Sequence, residues 1–205
     1  MPFFDEIKYE NITIFFWKIE ESSEKLYKDI TLSFKDLSIY QSIKIEKKRL
    51  EFLAIRYLLK KAKISSEYLF YNENGKPYLS NGFSVSITHS FPFVALAIGN
   101  KELGIDIEKC TPRILKLTSR FTDWQPLSSL DEELKILAFT QIWTIKEALF
   151  KVANATEVDF KNNLIINEFQ PNSQQQTATI IYKNSKKEYN IYSHFLENFV
   201  WSLAY

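Results

Sequence analysis

The sequence predicts an α+β protein made of two similar α+β lobes in one chain. Aromatic residues make up 16%, with 17 Phe and 11 Tyr but only 4 Gly, a composition that favours substantial sheet with few elaborate loops. Each half of the chain carries one long helical pattern followed by several strand-like runs. We therefore expect an N-terminal lobe over residues 1–100 and a C-terminal lobe over residues 101–205.

The first half contains one strongly periodic helix. Over residues 44–63, apolar side chains recur at the i, i+3, i+4, i+7 and i+8 spacing of an amphipathic helix; they are Leu50, Leu53, Ala54, Tyr57 and Leu58. Asn74-Gly75 predicts the turn of a hairpin. The strand-like runs of this half are residues 11–20, 68–71, 77–79, 83–88 and 93–98.

The second half has its long helix in the middle. Ser129, with Glu132 three residues later, matches a capping box and predicts a helix from Ser129 to about Ala153. The strand-like runs of this half are residues 103–108, 164–169, 177–182, 188–194 and 199–204.

Charge and cysteine content exclude several classes. The 26 Lys and Arg residues nearly balance the 25 Asp and Glu, which disfavours a general nucleic-acid-binding protein. The single cysteine, Cys110, excludes an intrachain disulfide and fits a reducing compartment. No apolar run is long enough to span a membrane, and the acidic start at Asp5 and Glu6 is unlike a signal peptide. We expect a cytoplasmic protein that binds neither nucleic acid nor membrane.

Residues 104–108 (GIDIE) place two acids on one strand face. Alternation puts Asp106 and Glu108 on the same side, with Ile105 and Ile107 towards the core. Two neighbouring carboxylates repel each other unless a cation lies between them, and Mg²⁺ prefers oxygen ligands. A solvated strand face with two ordinary acids is the alternative interpretation.

Residues 143–151 (WTIKEALFK) bring another acid and two lysines. Glu147 and Lys151 are four apart and share a helix face, whereas Lys146 points about 100° away from Glu147. Glu147 could complete a three-carboxylate metal site and the lysines could neutralise phosphate. A helix-stabilising Glu–Lys pair is the alternative.

The helix over residues 44–63 is locally basic, with eight Lys or Arg against two Glu. Arg49 and Arg56 are seven apart and so lie within about 20° of each other around the helix axis, with Lys60 continuing the stripe. Arginine forks bind phosphate in a bidentate manner, so this face could hold a nucleotide. A solvated helix face explains the same pattern.

Two histidines occur in the chain. His89 stands beside two hydroxyls in residues 86–90 (SITHS), where it could donate to a phosphate oxygen or act structurally. His194 lies in a predicted strand without polar neighbours, and we interpret it as structural. Cys110 lacks a matching His or Cys and is interpreted as a small hydrophobic residue.

These motifs, in this order, resemble those of the Sfp-type 4′-phosphopantetheinyl transferases. Residues 104–108 look like the family's G-I-D-I-E, and residues 143–151 match its W-S/T-x-K-E-A-x-x-K at every fixed position. Gly75-Lys76-Pro77 is similar to its G-K-P, residues 87–90 to its I-S-H-S, and residues 48–56 to its R-x-E-x-L-A-x-R helix. The matches run from about residue 48 to residue 151.

The resemblance implies a pseudo-dimer of two α+β lobes with the active site between them. It implies Mg²⁺-dependent transfer of the 4′-phosphopantetheine arm of coenzyme A to a serine of an acyl or peptidyl carrier protein, with release of adenosine 3′,5′-bisphosphate. The implied metal ligands are Asp106, Glu108 and Glu147, and the implied catalytic residues are Glu147 and Lys151. The implied residues for binding coenzyme A are Arg49, Arg56, Lys76, Thr88, His89, Lys146 and Lys151.

Two departures from the family pattern stand out. Thr88 replaces the usual serine, and residues 122–126 (TDWQP) lack the glutamate that commonly follows Arg120-Phe121. The second departure leaves open a non-catalytic member that binds coenzyme A or a nucleotide, and a Mg²⁺-dependent phosphoesterase is a more distant alternative. The length of the chain fits a monomer that holds both lobes. No feature of the sequence identifies the carrier protein.

Overall fold

A computed structural model describes residues 3–126, 128–153 and 157–205. It divides the chain into two compact units, Met1–Lys101 and Glu102–Tyr205. The mixture of helices and strands that the sequence predicts is confirmed. No helix among the described residues is both long and apolar enough to cross a bilayer.

The first unit is a four-stranded antiparallel sheet with helices packed on it, in the strand order β1-β2-β6-β5. Its helices are α1 (Ser23–Lys28), α2 (Phe34–Ser42) and α3 (Glu46–Lys61). The sheet strands are β1 (Phe3–Tyr9), β2 (Ile12–Lys18), β5 (Ser84–Ser90) and β6 (Phe93–Gly99), and β3 (Leu69–Tyr71) pairs with β4 (Pro77–Leu79) as a separate hairpin.

Helix α3 contributes more buried residues to the core of the first unit than any other element does. Leu53, Ala54 and Leu58 are fully buried, as the periodicity predicts, against apolar residues of β2, β5 and β6. Strand β1 and helices α1 and α2 lie outside the elements predicted from sequence. The two helices are short, and each begins at a serine N-cap, Ser22 or Ser33, whose hydroxyl accepts a backbone N–H.

The second unit is a five-stranded antiparallel sheet in the order β7-β11-β10-β9-β8, covered by one long helix. Its strands are β7 (Gly104–Lys109), β8 (Leu164–Asn167), β9 (Gln175–Tyr182), β10 (Ser185–Leu196) and β11 (Phe199–Ala204), and its helix is α4 (Glu132–Ala153). In the register of β7 and β11, Asp106 faces Ser202. The apolar face of α4 packs on the sheet through Ile145, Ala148 and Leu149.

Helix α4 begins three residues later than the sequence predicts. The Leu134 N–H donates to Asp131 Oδ1 at 2.8 Å, and the Lys135 N–H to the Asp131 carbonyl at 3.1 Å. Asp131 is therefore the N-cap, and the capping box predicted from Ser129 and Glu132 is wrong. An aspartate is as good a cap as a serine, and this one is adjacent to the first helical residue.

Candidate functional site

The site of the second unit is built where α4 approaches β7 most closely. A Cβ atom placed on Gly104 would lie 2.0 Å from the Ala148 carbonyl oxygen, a distance that no real side chain tolerates. Glycine is therefore needed for the helix backbone to contact the strand directly. This contact brings Glu147 and Lys151 of α4 beside Asp106 of β7.

Asp106 and Lys151 form the centre of this site. Lys151 Nζ donates to Asp106 Oδ1 at 2.7 Å and to the Ile105 carbonyl at 2.8 Å. The Asp106 side chain is 8% exposed and that of Lys151 is 27% exposed. Low exposure strengthens a charge-assisted hydrogen bond, so the lysine ammonium neutralises Asp106 in the protein without a bound cation.

Glu147 is half-buried, and its pKa is raised to about 7, mainly by burial. The negative charge of Asp106 contributes to this rise, that of Glu108 does so to a smaller extent, and the Lys151 ammonium opposes it. The structure thus brings the three predicted carboxylates into one electrostatic neighbourhood. A carboxyl group that titrates near neutral pH can accept or release a proton under physiological conditions.

The donor chemistry of this neighbourhood fits a hard cation. All three candidate ligands are carboxylate oxygens, the type that Mg²⁺ prefers, and their mutual repulsion would be relieved by a positive ion. Among the residues that the structure describes, however, no three Asp, Glu, His or Cys side chains converge in a ready-made metal cage. The ammonium of Lys151 is the cation that contacts Asp106.

A chain of buried hydroxyls ties α4 to the middle of the sheet. Thr144 Oγ1 lies 2.8 Å from Ser202 Oγ, which in turn lies 2.9 Å from Ser193 Oγ. Thr144 also donates to the Gln141 carbonyl at 3.0 Å. Since Ser202 is the register partner of Asp106, this chain fixes the helix against the strand next to β7.

Lys146 points away from Glu147, as the helix geometry predicts. Its Nζ donates to the Phe160 carbonyl at 2.6 Å, and the residue is 4% exposed. Burial lowers its pKa to about 8, although the charges of Asp159 and Asp123 oppose this. The structure places this lysine beneath the loop that contains Phe160, and its role in binding coenzyme A stays a prediction.

The departure at residues 122–126 forms an anchored loop. Trp124 packs edge-on against Phe139 and Phe169, with ring centroids 5.3 and 5.1 Å away. Asp123 forms an ion pair with Lys161 at 2.7 Å. The tryptophan therefore fixes the loop against Phe139 of α4 and Phe169.

In the first unit, the two arginines of the predicted phosphate-binding stripe are differently placed. Arg49 is half-buried and its Nε donates to the Ile43 carbonyl at 2.7 Å. Arg56 is 5% exposed, and its Nε and Nη2 both donate to Asp36 Oδ1, at 3.1 and 2.7 Å. The alternative interpretation, a solvated helix face, is wrong for Arg56, because Asp36 of α2 covers it with a buried carboxylate.

His89 and Thr88 lie on opposite faces of β5. The half-exposed His89 faces α3, where its Nδ1 is 3.6 Å from Glu51 Oε1, whereas Thr88 is 4% exposed on the other face. Lys76 is half-buried in the loop of the β3–β4 hairpin, where its backbone N–H donates to Asn72 Oδ1 at 2.9 Å. The roles of all three in binding a nucleotide stay predictions.

Glu51 is a residue that the sequence analysis did not select. It is 2% exposed, yet its carboxylate contacts Lys48, Lys47 and His89. A signal was available, because Glu51 interrupts the apolar run from Leu50 to Ile55 on the buried face of the helix. A charged residue in such a position is rarely buried without partners.

Comparison with known proteins identifies relatives of one kind. A family model described as the 4′-phosphopantetheinyl transferase superfamily matches residues 102–204, about half of the chain. The 4′-phosphopantetheinyl transferase gsp of Aneurinibacillus migulanus is 33% identical over 143 residues, which are 67% of this chain and 58% of that protein. The match therefore reaches from the second unit into the first.

Two further relatives carry the same description. The 4′-phosphopantetheinyl transferase AcpT of Salmonella typhi is 33% identical over 120 residues, 51% of this chain and 58% of that protein. Sfp of Bacillus subtilis is 32% identical over 84 residues, 38% of each chain. The chain spans less than two thirds of the length of each of these proteins.

Proposed function

Because the chain belongs to the 4′-phosphopantetheinyl transferase superfamily, we propose that it transfers the 4′-phosphopantetheine arm of coenzyme A to a serine of an acyl or peptidyl carrier protein. Adenosine 3′,5′-bisphosphate is the second product. One observation carries the proposal: a carboxyl group with a pKa of about 7 stands beside a carboxylate–lysine pair on the elements that hold the two acidic motifs.

Glu147 is the proposed base. The serine oxygen attacks the phosphorus that bears pantetheine, the bond from that phosphorus to the bridging oxygen breaks, and the serine proton passes to the Glu147 carboxylate directly or through a water. A pKa near 7 suits this task, because the group is then both ionised in useful amounts and basic enough to take the proton. Its position on α4, held by Gly104 and Thr144, fixes where the proton is taken.

Lys151 is the proposed partner of the departing phosphate. Its ammonium has three donors, and the structure uses two of them on Asp106 and the Ile105 carbonyl. A third N–H, on a side chain that is 27% exposed, can donate to a phosphate oxygen. In this arrangement Lys151 lowers the charge on the leaving group while Asp106 keeps the ammonium in place.

Asp106, Glu108 and Glu147 are the proposed ligands of Mg²⁺. When bound, the ion supplies charge stabilisation for the transferring phosphoryl group. A carboxylate that binds a metal is a weaker base, so a water between Glu147 and the serine is the physically easier path for the proton. Because Glu147 is proposed both as a metal ligand and as the base, its replacement should reduce transfer more than that of any other site residue.

The first unit is proposed to hold the nucleotide. His89 and Lys76 are the strongest candidates, because the His89 side chain is 41% exposed and Lys76 lies in the loop between β3 and β4. Arg49, Thr88, Arg56 and Lys146 are proposed in support, the last three from buried positions. We further propose that the two units form the family's pseudo-dimer around a single site in a cytoplasmic monomer, with Cys110 reduced.

The test is incubation of the protein with coenzyme A, Mg²⁺ and a panel of apo carrier proteins, followed by mass spectrometry. Transfer adds the phosphopantetheine mass to the carrier. Binding of coenzyme A without a gain in mass would instead support a non-catalytic binding module, and cleavage of coenzyme A without a gain would support hydrolysis. Glu147→Gln should abolish transfer, whereas Glu132→Gln, in the exposed first turn of the same helix, should not.

A further inference from the structure

Glu51 of α3 is a buried anion surrounded by exposed cations. Its side chain is 3% exposed, while those of Lys47, Lys48 and His89 are 55%, 50% and 41% exposed. Lys48 Nζ donates to Glu51 Oε2 at 2.7 Å. Oε1 lies 3.9 Å from Lys47 Nζ and 3.6 Å from His89 Nδ1. No described group donates to Oε1 at ordinary hydrogen-bond distance.

In this cluster the anion is buried and the cations are exposed to solvent. The carboxylate is withdrawn behind the cationic groups, so an anion that approaches from solvent meets two ammonium groups and an imidazole first. A surface pair would leave both charges in water and hold neither in place. Here the buried carboxylate accepts a hydrogen bond from Lys48 and lies within 4 Å of the cationic groups of Lys47 and His89. Such contacts restrict the exposed groups before a ligand arrives and so reduce the entropy lost on binding.

We infer that Glu51 is a positioning residue for the phosphate-binding groups of the first unit, acting on His89 and Lys48. The inference deepens the proposed function, on which it rests, by naming the residue that sets the His89 ring. With Glu51 3.6 Å from Nδ1, the orientation of the half-exposed His89 ring is set before a phosphate arrives. Lys48 then adds a second cation at a fixed distance from the ring.

The positioning role and a purely electrostatic effect of Glu51 predict opposite changes in the affinity for coenzyme A. Removing a negative charge close to a phosphate site should strengthen binding of an anionic ligand if charge alone matters. If Glu51 positions the cations, Glu51→Gln should weaken binding of coenzyme A, by roughly tenfold. Glu51→Asp keeps the charge but withdraws it by one methylene, and binding should weaken in the same direction.

The experiment has two readouts on the full chain. The first is the affinity for coenzyme A, measured by calorimetry for wild type, Glu51→Gln, Glu51→Asp and His89→Ala, with Glu46→Gln in the exposed first turn of α3 as matched control. The second is the ¹⁵N chemical shift of His89 Nδ1 without ligand, which is readily assigned because the only other histidine is His194. Thermal unfolding of each variant identifies any that fail to fold.

We expect both Glu51 variants to change the His89 shift and weaken binding, and Glu46→Gln to do neither. Equal or tighter binding by folded Glu51 variants, with wild type and His89→Ala behaving as proposed, overturns the positioning role alone. So does an unchanged His89 shift in both variants. If wild type does not bind coenzyme A, the proposed function fails and this role fails with it. If both Glu51 variants fail to fold, Glu51 is a structural residue and the inference is wrong.

Discussion

Replacing Arg56 with alanine is expected to destabilise the first unit strongly. The guanidinium is 5% exposed and its partner Asp36 is 1% exposed, so the two charges stabilise each other out of contact with water. Both hydrogen bonds end on Asp36 Oδ1, while Oδ2 is buried with no hydrogen-bond partner among the described residues. In the alanine variant, the whole carboxylate would be buried without a countercharge.

The expected loss in the free energy of unfolding is about 3–5 kcal/mol, the range observed when one partner of a buried ion pair is removed. The guanidinium also stacks 3.6 Å above the ring of Phe52, and losing that contact acts in the same direction. An arginine on a solvated helix face would cost about 0.5 kcal/mol or less. The two interpretations of Arg56 therefore differ several-fold in a measurable quantity.

The assay is urea unfolding of wild type, Arg56→Ala, Asp36→Ala and the double variant. We expect the double variant to be more stable than the sum of the single effects predicts, by about 2 kcal/mol, since neither charge is then left alone. Additive effects below about 1 kcal/mol would refute the reasoning. If Arg56→Ala keeps wild-type stability but loses affinity for coenzyme A, the structural role of the ion pair is refuted and Arg56 acts on the ligand directly.

Three further outcomes concern the second unit. Gly104→Ala should destabilise the protein and reduce transfer, because its Cβ would press on the Ala148 carbonyl oxygen; urea unfolding and the carrier assay check both. In EDTA, Glu147 should lower the free energy of unfolding of wild type by roughly 2–3 kcal/mol as pH rises from about 4.5 to about 7. The reason is that the folded protein holds the Glu147 proton more tightly than the unfolded chain does. Urea unfolding should show this decrease in wild type and not in Glu147→Gln. Asp106→Ala should abolish Mg²⁺-dependent transfer while circular dichroism shows a retained fold, and a wild-type transfer rate would contradict the metal assignment.

The regular parts of the fold could be predicted because their signals are local. The apolar spacing of α3 and the alternation in β7 each follow from residues within one element. Strand β1 and helices α1 and α2 were not predicted, since short amphipathic segments have weak periodicity and rely on packing against other elements. The start of α4 was misplaced because two residues near it, Ser129 and Asp131, are both good caps.

The partners of charged side chains could be predicted only in part. Glu147, Lys151 and Asp106 could be grouped because one helix face and one strand face were already indicated by their spacing. Arg56 and Asp36 lie 20 positions apart in the chain and on different helices, so no periodicity within α3 reveals their pairing. Glu51 is a mixed case, because Lys47 and Lys48 lie one turn before it on α3, whereas His89 comes from strand β5 and no local pattern indicates it.

The hydroxyl chain below Asp106 has a fixed hydrogen-bond direction. Since the single hydroxyl hydrogen of Thr144 is given to the Gln141 carbonyl, Thr144 can only accept from Ser202, and Ser202 must then accept from Ser193. Rotation of α4 about its own axis would break these hydrogen bonds between side chains that are fully buried. The hydroxyl of Thr144, at the second position of the W-S/T-x-K-E motif, thus fixes the rotation of α4 about its axis. Serine can replace threonine there, because it keeps the hydroxyl. Valine would leave the Ser202 hydroxyl as a donor without an acceptor.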